Sequence, residues 1–267
     1  MRIGCQIGMW KGAEPFAEKL AAVARTGAAG VEVFAHHFEA CGGDPERLGA
    51  LVGEAGIALS GAYFNSPDFL DPAAEDAVLT EAAAACRFLA AAGGQFLLLN
   101  GGLWRGDEPR EFTDADFAQF AKVANRLGGE AASAGIDAVM HPHWKCQVET
   151  PEDVDRLVAA GLNWENVGLC VHAVHQYLAH ADPYAIPEKH AAHVRYVHVG
   201  DSDSDRRAAL LGKGALDQKR LMAPLLAAGY EGWVVIECTV EGVPPADYAV
   251  LANDYLRTTW PEIDWET

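Results

Sequence analysis

A chain of 267 residues is long for one ordinary domain but suits the ~250 residues that an α/β barrel uses as a single unit, and half of it is apolar, enough for a sizeable core. With 20 Lys and Arg against 38 Asp and Glu, its formal charge of −18 repels nucleic-acid backbones and anionic lipid, leaving nucleic acid and membrane as poor partners. The six cysteines, Cys5, Cys41, Cys86, Cys146, Cys170 and Cys238, form no CxxC pair, and the N-terminal stretch lacks the apolar region of a signal peptide. Both features read as a cytoplasmic protein with reduced thiols.

In chain order, short apolar runs alternate with Ala-rich amphipathic ones. "RIGCQIG" reads as a strand and "PFAEKLAAVARTG" as the helix after it; "GVEVFA" is followed by "DPERLGALVGEAG", and "ALSGAYF" by "AEDAVLTEAAAACRFLAAAG". "QFLLLNGG" precedes "TDADFAQFAKVANRLGGEAASAG", after which the strand candidates "DAVMHPH", "VGLCVHAVH", "VRYVHVGD" and "WVVIECT" complete a set of eight. Many of the helical stretches begin at Asp, Thr or Pro and stop at Gly, the usual cap signals. Near-continuously apolar strands alternating with helices imply a parallel sheet covered on its faces. Eight such units close most naturally into a single-domain (β/α)8 barrel spanning residues 1–267. The competing fold, an open doubly wound sheet, would want a GxGxxG after the first strand, and "GMWKG" is a poor phosphate loop.

A barrel builds its active site at the C-terminal ends of its strands, and polar residues collect there. Glu32, His36 and His37 end the second strand and Asn100 the fourth. The fifth runs into His141, His143, Lys145 and Glu149; the sixth gives His172 and His175, the seventh His198 and Asp201, and the eighth Glu237. A lone strand-end His is more often structural than a ligand. Imidazoles and carboxylates converging from neighbouring strands favour a divalent cation, and mixed N and O donors suit Mn, Co, Fe or Zn better than Mg or Ca. Trp10, Phe34, Trp104 and Trp144 are candidates to stack on a sugar ring, with core or rim packing as the plainer alternative for each.

"HVRYVHVGDSD" followed by "LGKGALDQKRLMAPLLAAGYEGWVVIE" resembles the closing third of the xylose isomerase-like TIM barrels, a group of sugar isomerases and epimerases, endonuclease-IV-like proteins and inosose dehydratases. "HPHWKCQVETPEDVDRLV" is most similar to inosose dehydratase-like members. The resemblance implies one divalent metal (Mn, Co or Zn) held by His198 and Glu237, with Glu149 as the carboxylate of the fifth strand, since His141 occupies the usual Glu position and is left without a role. Where the family has Asp-x-x-His, this chain reads His172-Ala173-Val174-His175, so His172 stands for the metal-binding aspartate as the fourth ligand or marks a degraded site. It further implies Glu149, Glu237, His143 and Lys145 as acid and base groups, with His36, His175 and Asp201 positioning a carbohydrate or cyclitol. The implied activity is a sugar or cyclitol isomerase or epimerase acting by proton abstraction beside a carbonyl through a metal-stabilised enediolate. A dehydratase by β-elimination is the alternative. An endonuclease-IV-like phosphodiesterase, which the charge opposes, or a non-catalytic subunit ranks below both. Barrels of this kind associate as dimers or tetramers, and the sequence leaves the oligomeric state open.

Overall fold

A computed structural model describes residues 1–106 and 110–266. Eight parallel strands close on themselves: β1 (Arg2–Gln6), β2 (Gly30–Phe34), β3 (Ala58–Phe64), β4 (Phe96–Asn100), β5 (Asp137–His141), β6 (Val167–Val171), β7 (Val194–Val199) and β10 (Trp233–Ile236), with β10 pairing back onto β1. Between β7 and β10 a small antiparallel ribbon, β8 (Asp201–Ser202) with β9 (Ala208–Ala209), rises from the barrel's C-terminal rim, an addition that the sequence pattern does not announce. The expected (β/α)8 barrel is the observed fold.

Helices α1 (Phe16–Ala24), α2 (His37–Ala40), α3 (Pro45–Glu54), α4 (Glu75–Ala91), α5 (Asp114–Ala134), α6 (Pro151–Ala159), α7 (Ala173–Leu178), α8 (Ala185–His190), α9 (Gln218–Ala227) and α10 (Pro245–Thr259) cover the outside. Their boundaries follow side-chain chemistry. Thr113 and Thr150 each cap a helix reciprocally with the Asp three residues on, and α5 stops at Gly135, whose φ of 80° an L side chain rarely adopts. No helix among the described residues is long and apolar enough to cross a membrane.

Period two along each strand divides its side chains. Ala138 and Met140 of β5, Leu169 and Val171 of β6, Val197 and Val199 of β7, and Val234 and Ile236 of β10 join the large core under the helices. Their alternates Val139, Cys170, Tyr196, Trp233 and Val235 fill the barrel interior. At the N-terminal end Trp233 plugs the barrel, its indole N–H donating to Gln95 Oε1 at 3.0 Å and its ring lying 4.2 Å beneath the Arg2 guanidinium. Gly30 makes room for that ring, since a Cβ there would stand 2.5 Å from it. One step further along the inward-facing register come Glu32, His141, His172, His198 and Glu237. The same alternation that packs the plug therefore delivers polar side chains into the open end.

Candidate metal centre

His141, His172, His175 and Glu237 bring one donor atom each to within 4.8 Å of one another, and His141 does the same with Cys170 and His198 a layer deeper. His198 links the two sets. Its Nε2–H donates to Glu32 Oε2 at 2.7 Å, and its Nδ1 stands 2.7 Å from Glu237 Oε2, which is also 3.3 Å from His172 Nδ1. The two contacts to Glu237 are close without being aligned as hydrogen bonds. His198 Nδ1, Glu237 Oε2 and both ring nitrogens of His172 and of His175 are buried polar atoms with no hydrogen-bond partner. Buried lone pairs left facing one another cost free energy unless something positive sits among them. Three imidazoles and a carboxylate from the rim at the ends of β5, β6 and β10 are a donor set that suits Zn, Co or Mn, so the residues fit a divalent metal.

Protonation agrees with that fit. Burial lowers His141, His172 and His175 below the ordinary imidazole range, which keeps them neutral and able to ligate. Burial also opposes charge on His198, but the Glu32 and Glu237 carboxylates on either side outweigh it and raise its pKa to about 10. Burial pushes the Glu237 carboxyl up, yet His198 and His172 outweigh that and hold it well below the carboxylate range. The two carboxylates on either side thus favour the charged form of His198, with Nε2 turned to Glu32 and Nδ1 to Glu237. Glu32 then occupies the place of the acid that commonly orients a ligating His from behind.

The predicted residues separate into those the fold gathers and those it does not. His172, His198 and Glu237 converge. Glu149, expected among the ligands, lies outside both groupings: its carboxylate is bound by the Arg105 guanidinium and by the backbone N–H of Lys145 at 2.8 Å, so it fastens the loop after β5. His141 lies in both groupings instead, its ring Nδ1 2.9 Å from the Tyr63 hydroxyl. Lys145 lies with its ammonium 4.1 Å over the Trp144 ring. Asp201, expected beside the substrate, is buried and accepts N–H bonds from Ser202, Gly212, Gly214 and Leu216 at 2.8–3.2 Å, organising the loop after the ribbon. Gly214 has to be glycine for this, because a Cβ would fall 2.2 Å from the Asp201 carboxylate. Trp10 packs against the core, and Trp104 is 48% exposed with its edge toward His143. Neither they nor Trp144 are among the described residues that line the cavity over the cluster.

That cavity has a volume of about 730 Å³ and is bordered at its base by Glu237, His143, Asn100 and Tyr63 and higher up by His36. Glu237, 23% exposed, thus faces both the ligand cluster and the space above it. The His143 Nδ1–H donates to the Trp144 carbonyl at 2.7 Å, which leaves Nε2 as the basic nitrogen of a ring that burial keeps neutral. His175 packs against it with ring centres 3.8 Å apart. The hydroxyl of Tyr63, near the end of a mostly apolar strand, and the carboxylate of Glu32, inside another, are the signals that sequence reasoning left without a role.

A closed barrel whose last three strands and fifth strand converge imidazoles and a carboxylate beneath an open cavity defines a class, and the sequence profile of the xylose isomerase-like TIM barrel family matches residues 20–259. The chain belongs to that family. It is 31% identical over 165 residues to an inosose dehydratase of Bacillus licheniformis, covering 54% of this chain and 55% of that one, so the chain spans about half the length of that relative. Among solved structures it is similar to an L-ribulose 3-epimerase, with a TM-score of 0.80 at 17% identity covering 98% of this chain and 95% of that one. It is also similar to the IolI protein with a bound zinc atom, with a TM-score of 0.78 at 14% identity covering 98% and 99%. At these identities the structural likeness speaks for the fold.

Proposed function

We propose that the chain is a metal-dependent sugar or cyclitol isomerase or epimerase that removes a proton from the carbon beside a carbonyl. The observation that carries this is the cluster of unpartnered, buried donors on His172, His198 and Glu237, with His141 beside them, opening onto a cavity bordered by a neutral His143. His141, His172, His175 and Glu237, whose donor atoms lie within 4.8 Å of one another, would hold the metal, with His198 Nδ1, 2.7 Å from Glu237 Oε2, close enough to join. A bound divalent cation supplies charge stabilisation for the oxyanion that develops as the C–H bond breaks.

The remaining work falls to this chain's own groups. The lone pair of His143 Nε2 can accept the proton, and the hydrogen bond to the Trp144 carbonyl fixes which nitrogen is basic. Glu237 borders the same space and gives a second proton-carrying group, which return of the proton at another face or carbon requires. Asn100, with its Oδ1 unpartnered, offers a hydrogen-bond acceptor to a substrate hydroxyl. Loss of a β-hydroxyl from the same carbanion would make the enzyme a dehydratase, a second reading supported by the inosose dehydratase of Bacillus licheniformis among its relatives.

The test is exchange of a substrate C–H with deuterated solvent, followed by NMR over ketoses, inososes and keto-glycosides. Exchange that disappears with chelation supports the reading, and appearance of an unsaturated product selects the dehydratase form. Absence of exchange in protein carrying about one metal per chain refutes both.

A further inference from the structure

The cavity is larger and more apolar than a free sugar needs. Even at the ~30 Å³ that a water molecule occupies in the liquid, the dozen or so heavy atoms of a hexose or cyclitol would take up about half of its 730 Å³. The groups placed to handle a sugar, Asn100, Tyr63 and His143, stand at one end with Glu237. The other end is a wing between the loop after β2 and helix α4, whose wall is set by Glu81, Ala84, Ala85 and Phe88. These lie at i, i+3, i+4 and i+7, so one face of α4 looks onto the wing.

The composition of that face makes a slot. Ala84 and Ala85 keep it open, and Phe88 stacks on Phe38 with ring centres 4.2 Å apart and planes within 18°, forming a flat apolar end. Phe34, itself stacked on His36, lines the way back to the cluster. Glu39 and Glu81 supply the wing's charge, and no Lys or Arg is among the described residues lining the cavity. A phosphate or carboxylate arm would meet repulsion without a counter-ion there.

The geometry points to a substrate that is a glycoside with a neutral, flat, apolar aglycone: its sugar ring sits at the metal-binding end, and the aglycone slides between Ala84, Ala85 and the Phe38–Phe88 stack. This rests on the proposed reading of the site and adds the substrate class. The wing then contributes binding energy remote from the reacting carbon, where it helps to fix the sugar for proton transfer.

Calorimetric titration of the whole protein with phenyl and methyl 3-keto-β-D-glucopyranoside tests it. The phenyl glycoside should bind about 10- to 100-fold more tightly, as burial of one aromatic ring gives. Ala84→Trp, at an exposed helix position, should cut that advantage to about twofold or less. Leu251→Trp, on the exposed face of α10, controls for the added ring and should leave the preference intact. Equal affinities in the native protein, no heat from either probe, or a phenyl preference that survives Ala84→Trp overturns the inference. A phenyl preference without solvent exchange at the sugar C–H would instead refute the enolisation chemistry and leave the aglycone slot standing.

Discussion

Glu32→Gln separates a tuned metal site from a merely crowded one. Glu32 and His198 are fully buried and 2.7 Å apart, so the hydrogen bond is charge-assisted and shielded from water. Glutamine keeps the volume and an acceptor oxygen but removes the charge that raises the basicity of the imidazole. Loss of such an outer acid commonly weakens metal binding by about 10- to 100-fold, or roughly 1.4–2.7 kcal/mol. The assay is competition for Co²⁺ against a chromophoric chelator at fixed pH, with thermal melts of metal-free native and variant proteins alongside. The fall in affinity should appear with the visible cobalt spectrum shifted. An affinity within twofold of native would refute the reasoning, because His198 would then owe nothing to Glu32 as a ligand.

Other outcomes follow from the same geometry. His172→Ala and His141→Ala should each lose metal by elemental analysis, whereas Glu149→Gln should retain about one ion per chain and lose stability through its freed partner Arg105. Asp201→Ala strips the acceptor from four backbone N–H groups and should cost about 3 kcal/mol or more, seen as a fall of roughly 6–12 °C in Tm with metal affinity little changed. Glu75 ties α4 to α5 through Lys122, Arg126 and Gln119, and these hydrogen bonds lower its pKa to about 2. Because its folded pKa lies below the unfolded value near ~4.3, its contribution is present above that pH and lost as pH falls toward 2. Denaturant titrations should therefore show Glu75→Gln weaker than native at pH 6 and converging with it by about pH 2.

The barrel was legible because eight apolar runs, spaced by well-capped helices, leave few other ways to bury so much strand surface. The strand-end rule located His172, His198 and Glu237 for the same reason: each is the next inward residue after Cys170, Tyr196 and Val235. Glu149 shows where linear reading stops. A family position that lacks its usual carboxylate invites a search for another nearby, yet Glu149 lies on a loop whose Arg105 partner comes from the rim after a different strand. His141 was in register all along. Asp201 looked like a rim acid, and only the fold reveals four backbone amides turned toward it. Tyr63 is easily passed over because "ALSGAYF" reads as a mostly apolar core strand, and its facing partner is 78 residues away.

The bond between His198 and Glu32 joins residues 166 positions apart, across the seam that β10 and β1 close. Every proposed metal donor belongs to the second half of the chain, while the acid bonded to His198 and the hydroxyl beside His141 belong to the first. A half-barrel would carry either ligands without their support or the support without ligands. Metal uptake at full affinity would accordingly report ring closure, and by mass action a bound ion would favour the closed ring over any partly open form. On the proposed reading, the centre would act as a latch on the fold as well as a place for chemistry.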